Sequence, residues 1–177
     1  ALVAESSALL AADLALLSSA PPPEKYVSDA TALGLEHARV AAMRSVVGKG
    51  EQLQLVQLKA VDDAYPLRGQ LLIADASDAP PQAVAHGPAR GEAWAEAKLT
   101  GLLQLKLGDT LTVGSARLRL SRILVLEPDR GSDLFSIAPR VLMHYADLAA
   151  TGLVVPGSRV SYATLLEGRA ESISQYR

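Results

Sequence analysis

Two β-patterned arms, Ala38–Val47 and Glu51–Ala60, flank the triplet Gly48-Lys49-Gly50. Along the second arm, Gln52/Leu53/Gln54/Leu55 alternate polar with apolar, so one face meets water and the other meets a core. The phase of that alternation switches near Val56, as a bulge would make it. A glycine-rich triplet between two such arms predicts a hairpin closed by a three-residue turn. Upstream, Asp13–Ser19 reads as a buried strand that ends at Pro21-Pro22-Pro23. Pro23 and Glu24 then open a helix. Tyr26, Ala30 and Leu33 share one face of it, and Gly34 closes it. Strand, helix and hairpin in that order describe a small α/β sandwich unit.

The hairpin runs directly into Val61-Asp62-Asp63-Ala64-Tyr65-Pro66-Leu67-Arg68-Gly69. Pro66 forces Tyr65 into an extended conformation and removes a backbone donor, so the strand cannot simply continue. Gly69 supplies a permissive backbone before the short apolar strand at Leu71-Leu72-Ile73. Asp62, Asp63 and Arg68 are close enough in sequence to pair across the turn. Asp62, Asp63, Tyr65, Pro66, Arg68 and Gly69 are therefore the residues expected to hold the geometry between two subdomains.

Residues 75–90 form a connector rich in alanine and proline, a surface excursion or boundary. Glu92–Leu103 has helical character around Trp94. Leu107-Gly108-Asp109-Thr110 turns the chain into a second hairpin, Thr110–Val113 with Ala116–Leu126 across Gly114-Ser115. Glu127–Asp133 is a polar loop, Met143–Leu148 a short helix, and Arg159–Leu166 a last strand. The apolar pair Leu134-Phe135 sits among loop residues, where it either packs inward or touches a partner. Arg117 and Arg119 share one strand face, with Arg122 on the other phase, either a solvated face or a cationic ledge.

The 177 residues, 49% hydrophobic and 20% charged, suit one folded domain or two small subdomains. A net charge of -2 gives no electrostatic case for nucleic acid. The absence of cysteine removes thiolate chemistry and disulfides. His37, His86 and His144 lack the spacing of a shared metal site. No G-x-S-x-G elbow is present. Ser115, Ser132 and Ser158 each follow a glycine, which is turn chemistry, and Ser132 with Asp129 and Asp133 is the best of a poor catalytic set. Gly48-Lys49-Gly50 lacks the Walker spacing, so no nucleotide site is read here. No catalytic, cofactor or metal residue follows from these patterns. Glu5 and Asp13 interrupt the N-terminal apolar stretch, so it is not a membrane span.

Two phrases carry a family resemblance: "AVDDAYPLRGQL" followed by "AD", and "FSIAPRVLM" followed by "ADL", "TGL" and "PGSRV", with "LKLGDTLTVG" between them. In order, they resemble the extracytoplasmic core of ABC-transporter permeases of the MacB/FtsX superfamily, and within it the YbbP-like group associated with lysophospholipase L1 biosynthesis. The resemblance runs from about Leu14 to about Leu166. It implies an α+β, MacB-like periplasmic core of two interwoven subdomains: a porter-like unit (13–74) and a smaller Sabre-like unit (91–168), joined by the connector (75–90). A membrane-proximal helix (1–12) and stalk (169–177) would lead to transmembrane helices on either side. The implied function is non-enzymatic and lies on the periplasmic side of the bacterial inner membrane. A separate cytoplasmic ATP-binding subunit would drive the permease through those helices, turning their tilt into a rigid-body motion of the domain. The cargo would be hydrophobic or lipid-like, or the action would fall on a periplasmic protein, and the intact permease would be dimeric. A lipoprotein-release or cell-wall-hydrolase-regulating permease is the alternative within the superfamily. A stand-alone hydrolase using Ser132 or Ser158 is the alternative outside it.

Overall fold

β3 (Glu36–Lys49) and β4 (Gln52–Val61) pair without interruption from Val40 opposite Val61 to Lys49 opposite Gln52. This computed structural model describes residues 2–3, 12–129 and 138–176. The hairpin turn is Gly50-Glu51, two residues rather than the three expected, because only Gly50 takes a positive φ and Gly48 stays extended in the ladder. The register also shows no bulge at Val56. Val56, Leu58 and Ala60 face one core, while Leu53 and Leu55 stay on the opposite face and remain 70% and 49% exposed. Those two leucines lie at the hairpin tip, before the stretch from Gln57 onward along which β10 (Arg140–His144) pairs with β4.

The remaining strands in chain order are β1 (Leu2–Val3), β2 (Leu14–Ser18), β5 (Leu71–Ala74), β6 (Gln82–Val84), β7 (Glu92–Glu96), β8 (Thr110–Val113), β9 (Ala116–Leu126) and β11 (Ser161–Glu167). The pairings β3–β4, β4–β10, β10–β7, β7–β9, β9–β8 and β8–β3 close a six-stranded ring. Its interior is filled by alternate residues, as the period of two requires: Val56, Leu58, Ala93, Ala95, Leu118, Leu120, Val141 and Met143. From β3 the sheet continues outward through β11, β2 and β1, and from β9 through β5 and β6. The outer face carries a second core in which Val61, Tyr65, Leu71, Ile73, Trp94 and Leu142 pack together.

Helix α1 (Glu24–Ala32) begins after Pro23, as expected, and packs Ala30 onto Leu14, Leu16 and Leu166. Helix α4 (Ala170–Tyr176) buries Ile173 in the same cluster, and the Tyr176 hydroxyl donates to the Tyr26 carbonyl at 2.9 Å. The expected helix over Glu92–Leu103 splits: β7 takes Trp94 into the ring, and only Ala97–Leu102 is helical (α2). Ala93 and Ala95 fit the crowded ring interior while Trp94 faces out, a strand alternation hidden by small residues. The expected helix at Met143–Leu148 likewise starts late. Met143 and His144 end β10, a 3-10 turn follows at Tyr145–Asp147, and α3 spans Leu148–Thr151. For the expected N-terminal helix, Leu2–Val3 is instead a strand paired with β2, and residues 4–11 lie outside the described set. Among the described residues no helix is long and apolar enough to cross a membrane.

Candidate functional site

The bend between β4 and β5 begins where Asp62 extends the hairpin by one more pair. Its N–H donates to the Arg39 carbonyl (3.2 Å), and its carboxylate accepts from the Arg39 N–H at 2.8 Å. The same carboxylate accepts the Ala64 N–H (3.1 Å), and the Asp62 carbonyl accepts the Tyr65 N–H (3.2 Å), which tightens the turn. The Tyr65-Pro66 peptide is cis and both residues are buried. Gly69 has φ +79, and a Cβ there would sit 2.8 Å from Pro128 Cβ, so the loop after β9 closes on the bend at this glycine.

The three charges of the bend do not pair with one another. Asp62 meets Arg39, Asp63 meets His144 on β10 at 2.7 Å, and Arg68 reaches away to Asp13 and Glu167. Adjacent carboxylates on an extended chain point apart, which sends Asp62 and Asp63 to different strands. Arg68 grips Asp13 with two nitrogens at 2.8 and 3.0 Å. Burial works against the Asp13 charge, but the Arg68 guanidinium and the Gly168 N–H outweigh it and hold that carboxyl below its ordinary range. The Asp13 N–H donates to the Leu166 carbonyl and Gly168 N–H to Asp13, so β2 and β11 are fastened where the bend touches them.

Under the bend lies a buried ionic network that sequence reasoning missed. Lys59 is 4% exposed, and its three ammonium hydrogens go to the Tyr65 hydroxyl (3.0 Å), Glu127 (2.9 Å) and Asp129 (2.8 Å). Tyr65 donates its own hydroxyl hydrogen to Asp129, and Arg140 donates from Nε to Glu127 at 2.8 Å. Burial pulls the Lys59 ammonium down, yet the Tyr65 oxygen and the two carboxylates push its pKa well above the ordinary lysine value. Burial likewise opposes the Glu127 charge, and Lys59 and Arg140 together hold it below the usual carboxylate range. For Tyr65, burial dominates and keeps the phenol protonated far above its usual range. One signal was legible: Lys59 interrupts Leu58 and Ala60 in an otherwise apolar run. Its carboxylate partners are 68 and 70 residues away and carry no local mark.

Beside the bend, the outer face opens into a pocket of about 390 Å³ lined by Asp62, Asp63, Val84, His86, Trp94 and Arg122, among others. Ser158 is a turn residue, its hydroxyl bonded to Leu153 O and Val155 N, and offers no nucleophile arrangement. Ser132, Leu134 and Phe135 lie outside the described residues. Arg119 pairs with Glu92 and Arg122 with Asp75. No cluster of three or more candidate metal ligands occurs among the described residues.

No family model matches the chain. Over 172 residues, 97% of its length, it is 36% identical to the uncharacterized ABC transporter permease YbbP of Escherichia coli K12, of which it spans about 20%. In fold it resembles the extracellular domain of the noncanonic ABC-type transporter YknZ from Gram-positive bacteria (TM-score 0.57, 12% identity, 90% of this chain and 86% of that one). It also resembles the periplasmic region of MacB from Actinobacillus actinomycetemcomitans (TM-score 0.52, 10% identity, 97% and 83%). The mixed α+β architecture and the predicted resemblance both stand. By sequence, the chain is a relative of one segment of a YbbP-type ABC transporter permease, and its fold is like those of the YknZ and MacB domains.

Proposed function

We propose that this domain is the periplasmic part of an inner-membrane permease, where it couples ATP hydrolysis by a separate cytoplasmic subunit to movement outside the membrane. The observation that carries the reading is the 36% identity to a permease over nearly the whole chain. The domain itself is non-enzymatic: it transmits motion to a hydrophobic or lipid-like cargo or to a periplasmic protein. Asp62, Asp63, Tyr65, Pro66, Arg68 and Gly69 serve as the structural joint. From one short bend they contact β3, β10, the loop after β9 and the paired strands β2 and β11.

The test uses the full-length permease with its ATP-binding subunit, reconstituted in lipid. The joint variant Arg68→Ala should leave ATP hydrolysis within about twofold of wild type while release of a hydrophobic cargo falls at least tenfold. If hydrolysis and release both persist in a permease lacking the whole domain, the coupling role is wrong.

A further inference from the structure

The pocket beside the bend has a volume within the range of small-ligand sites, about 300–1,000 Å³. Its buried lining is mostly apolar: Ile73 and Trp94 are buried there and Val84 half-buried, with the His86 ring 5.9 Å from that of Trp94, and the buried Ser121 hydroxyl is taken up by the Trp94 Nε1–H at 3.0 Å. Its walls carry three carboxylates, Asp62, Asp63 and Glu92, against one guanidinium, Arg122. Two of the acids are balanced by a cation, Asp62 by Arg39 at 3.5 Å and Glu92 by Arg119 at 3.1 Å, while Arg122 is balanced by Asp75.

Asp63 is different. Its side chain is 93% exposed and is held by His144, which is 7% exposed. His144 Nδ1 accepts the Ala146 N–H at 3.0 Å, so the ring carries its hydrogen on Nε2 and donates it to Asp63. In that tautomer the imidazole fixes the carboxylate without cancelling its charge. A preoriented carboxylate, uncompensated by a cation, thus stands at the wall of a pocket whose buried lining is mostly apolar. Fixing a polar group before binding lowers the entropy lost on association.

We infer that this pocket binds an alkylammonium group, with the cation on Asp63 and the apolar stem against Val84, Ile73 and Trp94. A free amine and the ethanolamine headgroup of a phospholipid share that chemistry. The site rests on the pocket's own geometry and does not require the permease reading.

Trp94 is the sole tryptophan of the chain, so its fluorescence reports this pocket alone. Titrating the 177-residue protein with hexylammonium should shift Trp94 emission saturably, whereas hexanoate, similar in length and opposite in charge, should not. Asp63→Asn should raise the hexylammonium Kd at least tenfold. Gln82→Lys, which adds a cation to the exposed rim, should do the same, with circular dichroism confirming that both variants are folded. Vesicles containing phosphatidylethanolamine, compared with vesicles of phosphatidylglycerol, separate the two sources. A response to the former assigns the ammonium to a lipid headgroup, and a response to hexylammonium alone assigns it to a soluble amine. An equal response to hexanoate, an unchanged Kd in Asp63→Asn, or no saturable response to amine or vesicle would overturn the inference.

Discussion

Lys59 directs every hydrogen of its ammonium to an oxygen of Tyr65, Glu127 or Asp129, and that completeness sets what its loss does. Removing the lysine from this buried set takes away the cation that offsets the burial of Glu127 and Asp129, and breaking a buried ion pair costs about 3–5 kcal/mol. Lys59→Met, similar in shape, should therefore lower stability by about that amount in urea denaturation, well beyond the effect of an exposed charge change such as Lys25→Met. The pH dependence follows from the same groups. Glu127 is held below its unfolded value, so its contribution is present above the ordinary glutamate range near pH ~4.3 and is lost as pH falls through the lower folded value. Lys59 is raised, so its contribution is complete below about pH 10.4 and is lost only as pH rises through the higher folded value. Between those limits the network adds no slope. Stability of Glu127→Gln should show a weaker acid limb than wild type when thermal melts are compared across the carboxylate range.

At the scale of elements, the β8–β9 turn shows how a hairpin is pinned to its neighbour. Gly114 has φ +57, and a Cβ there would fall on the carbonyl oxygen of Thr151 at the end of α3. The next N–H, that of Ser115, donates to that oxygen at 2.8 Å. Gly114→Ala combines the left-handed penalty of about 1–2 kcal/mol with a backbone clash. It should cost at least about 2 kcal/mol by chemical denaturation, whereas Gly101→Ala, in open space within α2, should be neutral or stabilising. Elements marked by proline, glycine and strict alternation were legible in the sequence: α1 behind Pro23, the β8–β9 hairpin around Gly114-Ser115, and the bend at Tyr65-Pro66. β7 was not, because Ala93, Ala95 and Ala97 offer no contrast between strand and helix periods, and Trp94 fits either. The leucines at 53 and 55 misled for a different reason. Alternation tells which residues share a face but not which face is covered, and that depends on what the distant chain packs against each face. The bend was visible as a feature, while its partners Asp13, His144 and Glu167 were not, since long-range charge pairing leaves no spacing to read.

At the scale of the molecule, the sheet curls into a ring at its centre and stays open on both flanks, one of which carries α1 and α4. Arg68 holds the beginning of β2 to the end of β11, and Glu167 of β11 stands opposite Glu36, the first residue of β3. From that fastened corner β3 runs 14 residues to the hairpin tip, about 45 Å at strand rise. Such an arm multiplies rotation. A tilt of about 10° at the corner displaces the tip by about 8 Å over that length. The distance exceeds the width of a leucine side chain, and Leu53 and Leu55 are what the arm carries at its far end.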